Sequence, residues 1–115
     1  MSPRLWHHRI GDILTAIQKI LRYTAQMDFE TFSHDLRTID AVIRNFIVIG
    51  EAARNIPVEV TLRHPELPWR LMADMRNFAV HEYWGVELST IWRTIEVDLP
   101  PLIPLLEKIL PPEEG

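Results

Sequence analysis

Residues 36–55 read LRTIDAVIRNFIVIGEAARN, with apolar or small residues recurring at Leu36, Ile39, Val42, Ile43, Phe46, Ile47, Gly50 and Ala53. Spacings of three and four put these positions on one side of an α-helix and do not fit the alternation of a half-buried strand. A long helix with one apolar stripe has to bury that stripe against other elements, so the stretch predicts a helical bundle. Gly50 on the stripe weakens the helix by about 1 kcal/mol relative to alanine, and close approach of another helix best explains it. Glu51 follows at the stripe's edge, one turn after Ile47. A partly desolvated carboxylate there needs a cation, which Arg76 or Arg54 could supply; an exposed edge ion pair of little energetic worth is the plain alternative.

The flanking sequence is punctuated into further helices. Ser2-Pro3 reads as an N-cap and first helical residue, followed by Ile10, Ile13, Leu14, Ile17, Ile20 and Leu21 at helical spacing, which predicts a helix to about Gln26. Asp28 and Ser33 are possible caps around a short turn, FETFS. The helix of the opening stretch should end near Asn55 and Pro57. After a brief VEVTLRH segment, Leu67-Pro68 can open a helix carrying Leu71, Met72, Met75, Phe78 and Ala79, closed by Gly85. The last apolar series is Leu88, Ile91, Trp92, Ile95, Leu99, Leu102, Leu106 and Ile109. Pro100, Pro101 and Pro104 each remove a backbone donor, which predicts a break just after Asp98 and a restart on the prolines. The expected architecture is all-α: an antiparallel four-helix bundle with one or two additional short helices, forming a single domain over residues 1–115.

Composition narrows the class. With 115 residues, 47% apolar and 24% charged, the chain can bury one core. It has no cysteine, so thiolate metal sites and disulfides are excluded. The longest apolar stretch, Phe46 to Gly50, is too short to span a bilayer, and MSPRLWHHRIGD lacks the apolar core of a signal peptide; no membrane contact and a cytoplasmic setting are expected. The net charge of −4 argues against holding nucleic acid by bulk electrostatics. Of the 12 basic residues only Lys19 and Lys108 are lysine, so any phosphate contact would be local and geometric.

Several residues invite a functional reading and lose it. His7 and His8 diverge by about a hundred degrees on a helix and so do not form a ligand pair, and no metal is expected. His34 and His64 read as surface residues. Trp69 and Trp92 fit packing positions, whereas Trp84 is retained as a possible substrate or dimer contact. The remaining cluster is RNFAVHEYW, residues 76–84. On a helix Asn77 and His81 are i and i+4 and share one face, while Arg76 and Tyr83 are i and i+7 and share a neighbouring one.

RNFAVHEY, together with IGEAARNIP, HPELPW and DLPPLIPLLEKIL, resembles the HepT family of HEPN-domain proteins, the toxin half of bacterial and archaeal toxin–antitoxin pairs (type VII). The resemblance runs in order through nearly the whole chain. It implies an all-α domain that forms a homodimer, whose two arginine–histidine motifs face each other in a shared cleft and cut RNA without a metal or other cofactor. Arg76 and His81 would be catalytic, with Asn77 and Glu51 supporting. A ribose 2′-hydroxyl attacking its own phosphodiester needs a proton acceptor and donor near neutral pH, which histidine supplies, and a cation for the developing charge, which arginine supplies. One histidine is marginal for both proton roles, and a dimer brings two. The resemblance also implies a partner, the cognate minimal nucleotidyltransferase antitoxin, which transfers AMP from ATP to Tyr83 and so places bulk and negative charge beside the motif. The alternative is a catalytically weak or inactive module for helical dimerisation and nucleotidyltransferase binding.

Overall fold

The computed structural model describes the backbone at residues 3–82 and 88–110, and side chains at 5–77 and 88–110. Among the described residues the regular structure is entirely helical. The helices are α1 (Pro3–Tyr23), α2 (Phe29–Ser33), α3 (Leu36–Arg54), α4 (Val58–Arg63), α5 (Trp69–Glu82), α6 (Leu88–Arg93) and α7 (Leu102–Ile109), with a π-helical turn at Thr94–Asp98 joining the last two. α3 is the central element, packed against α1 and against α5, while α7 rests on α1 and α2 lies between α3 and α6. The expected four-helix bundle is present, its fourth member being the composite of α6, the π turn and α7, and the two short helices are α2 and α4. No described helix is long and apolar enough to cross a membrane.

Helix boundaries follow from local chemistry. Asp28 and Asp35 open α2 and α3: the Thr31 N–H donates to Asp28 Oδ1 at 2.8 Å, and the Thr38 N–H to Asp35 Oδ1 at 3.1 Å. FETFS is therefore a helical turn of its own. Ser33 does not cap the helix that follows; its hydroxyl donates back to the Glu30 carbonyl at 2.9 Å and helps close α2. The carboxylate two residues on is the better cap, being both an acceptor and an anion at a helix N-terminus. α1 stops at Tyr23, short of Gln26: the Ile20 carbonyl accepts both the Thr24 N–H at 3.1 Å and the Thr24 hydroxyl at 2.9 Å, and the Met27 N–H then donates to the Thr24 carbonyl at 3.0 Å in a turn.

The core is made by Ile10, Ile13, Ile17 and Ile20 of α1, Ile39, Val42, Ile43, Phe46 and Ile49 of α3, Met72 and Met75 of α5, and the stripe Ile91, Trp92, Ile95, Leu99, Leu102 and Leu106. Phe32 of α2 joins α6 through Trp92, with ring centroids 5.1 Å apart. Two stripe positions are corrected. Leu36 is 74% exposed and Ile47 40% exposed, whereas Ile49 is fully buried. Ile47 stands about a hundred degrees from Phe46 and so leaves the buried side, and Leu36 is the first residue of α3, projecting past its partners.

The prolines break the last element where expected. Pro100 and Pro101 cannot donate, and their rings would clash with the carbonyls four residues earlier in an α-helix. The preceding turn widens instead, and Leu99 N–H bonds to the Thr94 carbonyl at 3.0 Å, an i to i+5 closure. Pro104 sits in the first turn of α7, where a donor has no intrahelical partner in any case.

Candidate active site

α5 is launched by proline and anchored by aromatic and thioether side chains. Pro68 precedes its first residue and its carbonyl accepts the Met72 N–H at 3.0 Å; the Trp69 indole N–H donates to the His64 carbonyl at 2.9 Å, tying the helix start to the end of α4. Met72 and Met75 are fully buried and fix the inner side. Arg70, Asp74 and Asn77 are exposed, and their spacing puts them on one line of the helix opposite the methionines. Position 81 falls on that same line of the α5 backbone. The expected i, i+4 relation of Asn77 and His81 thus holds for the helix, which runs to Glu82. The side chain of His81 lies outside the described residues, as do Tyr83, Trp84 and Gly85 entirely.

Arg76 stands between the buried and exposed sides, at the crossing of α5 over α3. A Cβ built on Gly50 would lie 2.6 Å from the Arg76 backbone nitrogen, 2.7 Å from the Arg76 Cβ and 3.1 Å from the Ala73 carbonyl oxygen. No side chain fits there. The close approach inferred from the sequence is real, and the backbone it meets is that of Arg76 itself, a pairing that one sequence read alone does not contain. One residue further along α3, Glu51 Oε1 lies 2.6 Å from Arg76 Nε in an ion pair. Of the two cations considered for Glu51, Arg76 makes this contact.

The pair is half exposed, 42% for the arginine side chain and 50% for the glutamate. At that exposure water screens it, and it stabilises the fold by no more than about 0–1 kcal/mol. Its consequence is geometric: the guanidinium is held by its Nε edge at the protein surface. The Glu51 end is itself secured, because the Asn55 side-chain amide donates to the Glu51 carbonyl at 2.8 Å as the last turn of α3 closes.

The other singled-out residues stay apart from this crossing. His7 stacks on Trp6 with ring centroids 3.7 Å apart, His34 Nδ1 lies 2.9 Å from the Glu30 carbonyl oxygen, and His64 Nδ1 lies 3.5 Å from Glu66. Trp92 is core and Trp69 borders it, as their sequence positions indicate.

Comparison with known proteins bears on the same region. A family model described as "Ribonuclease HepT-like" matches residues 13–109, which include Gly50, Glu51, Arg76, Asn77 and His81. The chain is 44% identical over 100 residues to "Probable ribonuclease HepT" of Thermococcus cleftensis, covering 87% of this chain and 91% of that protein. It is 36% identical over 99 residues to "Putative RNase MJ0125" of Methanocaldococcus jannaschii, covering 86% and 85%, and 34% identical over 102 residues to "Putative RNase TTE0752" of Caldanaerobacter subterraneus, covering 89% and 91%. No solved structure gives a significant match. A helical chain matched from α1 to α7, and similar over nearly its whole length to proteins so described, belongs to the ribonuclease HepT-like family.

Proposed function

We propose that the chain is an RNA endonuclease that works without a metal as a homodimer, and that it is the toxin component of a HepT/nucleotidyltransferase pair. One arrangement supports the reading above all: Arg76 is held at Nε by Glu51 and half exposed, on the helix that also carries Asn77 and His81, in a chain of the ribonuclease HepT-like family.

In this reading His81 takes the proton from a ribose 2′-hydroxyl and the 2′-oxygen attacks the adjacent phosphorus. The bond to the 5′-oxygen breaks, and His81 of the partner subunit returns a proton to the leaving oxygen. The products are a 2′,3′-cyclic phosphate and a 5′-hydroxyl. Arg76 faces the non-bridging oxygens as their charge grows, and Asn77 supports the same phosphate. The exposed line of α5 is the face that meets the second protomer.

Incubating the purified chain with RNA in EDTA and mapping the ends tests this. Cyclic-phosphate ends and a dimer by light scattering are expected; cleavage that needs a divalent ion, or ends bearing 5′-phosphate, would remove the mechanism. The regulatory half rests on the family resemblance and on Tyr83. Co-expression with the cognate nucleotidyltransferase should relieve growth arrest and raise the intact mass by whole adenylate units located on Tyr83. Tyr83→Phe should then stay toxic beside its partner. If that variant is neutralised as readily as the parent, the switch is lost while the ribonuclease stands.

A further inference from the structure

Glycine at position 50 and glutamate at position 51 meet the same residue from the same helix, one at its backbone and the other at its side chain. We propose that this Gly50–Glu51 step is a two-point clamp that sets where the Arg76 guanidinium stands before RNA arrives. The inference rests on the reading above that Arg76 faces the scissile phosphate.

The two contacts fix different things. Contact at Gly50 brings the α5 backbone against α3 at Arg76 and Ala73, with no intervening side chain to flex, so the origin of the arginine side chain is set by backbone against backbone. Arginine then has several rotatable bonds with which to wander in solvent. Glu51 restrains that freedom by its charge, with Oε1 2.6 Å from Nε in an ion pair. Asn55, bonded to the Glu51 carbonyl, keeps the helix turn that carries the glutamate closed.

The choice of edge matters. A guanidinium carries five N–H donors in one plane, and one carboxylate on the Nε edge can take at most two of them. At least three remain for phosphate oxygens, with the plane already oriented. Pre-ordering of this kind lowers the cost of forming the transition state without adding a substrate contact, so it acts on the chemical step more than on RNA affinity. Because both side chains are half exposed, the pair adds little to folding, which separates a positioning role from a structural one.

The test combines turnover with a spectroscopic signature. In the full-length chain, Glu51→Ala should lower kcat for RNA cleavage about 10–100-fold with KM within about threefold, in line with a group misplaced near reacting atoms. Glu51→Gln, which keeps an oxygen beside Nε but not the charge, should recover part of that loss. In an Arg76→Ala background, Glu51→Ala should have no further effect. Separately, the Arg76 Nε–H cross-peak in a 1H–15N spectrum should be protected from exchange in the parent and in Glu51→Gln, and lost in Glu51→Ala. Full activity in Glu51→Ala, or a Nε–H no better protected in the parent than in that variant, overturns the clamp. Cleavage that survives Arg76→Ala overturns the catalytic role given to Arg76 instead, and the cross-peak then decides whether Gly50 and Glu51 hold that side chain.

Discussion

Along its seam with α1, α3 leaves a groove of about 290 Å3 lined by Ala16, Lys19 and Tyr23 on one side and Ala41, Arg44 and Asn45 on the other. Along its seam with α5 it leaves no room for one methyl group at Gly50. The same helix thus makes one open contact and one closed contact. Side chains bordering an open groove can shift to absorb an added atom, whereas a backbone-to-backbone contact passes any added atom on as a displacement of the facing helix. The residue that would be displaced is Arg76. On the role proposed for Arg76, the packing is unforgiving where position matters to chemistry and slack where it does not.

The largest effect that would break this contrast is on activity. Arg76→Ala and His81→Ala should each lower RNA cleavage by roughly 100- to 10,000-fold, the range lost with a general acid–base or a charge-stabilising group. For Arg76→Ala the melting temperature should fall by no more than a few degrees, since a half-exposed ion pair contributes at most about 1 kcal/mol. A collapse of stability would mean that the closed seam exists to tie helices together and not to place a charge.

Bulk added to each seam sharpens the comparison. Gly50→Ala gains about 1 kcal/mol of helix propensity and meets an overpacking cost of about 1–3 kcal/mol. The net change in melting temperature should therefore be small to moderate, while cleavage falls well beyond what the stability change explains. Ala41→Leu, whose larger side chain enters the open groove, should leave both stability and cleavage within about 0.5 kcal/mol of the parent. Equal losses of cleavage in the two variants would erase the distinction between the seams.

A further effect lies away from both seams, at the N-cap of α2. The Thr31 backbone N–H donating to Asp28 holds its carboxyl below the ordinary carboxylate range. A group whose folded pKa is lowered stabilises the fold above its unfolded value and loses that contribution as pH falls through the folded one. Asp28→Ala should accordingly melt lower than the parent near neutral pH, and the gap between them should close in strong acid. A gap that persists there would assign the effect to the lost helix cap geometry and not to charge.

Much of this was legible in the residues, for identifiable reasons. Helical spacing in 36–55 gives α3, proline chemistry gives the break after Asp98, and a glycine in an apolar stripe gives the close approach at position 50. What escaped depends on neighbours in space. Nothing in one sequence says that α5 crosses α3 at Arg76, so Glu51 had two equally plausible cations. Leu36 and Ile47 are apolar and fall near the stripe, yet stand in solvent because α3 has partners on only part of its circumference. FETFS is too short for periodicity to speak, and its helical turn depends on the cap at Asp28.

The joint between α6 and α7 has a consequence for how the bundle opens. Three of the six residues from 99 to 104 are prolines and carry no backbone N–H, and the wide turn before them is closed through Leu99 and Thr94. The two halves also dock on different neighbours, α6 on α2 and α7 on α1. A helix interrupted in this way need not melt as one body. α7 can come away from α1 while Trp92 stays against Phe32, so the last element belongs to two cooperative units, and amide exchange should run at one pace up to Asp98 and at another from Leu105 onward.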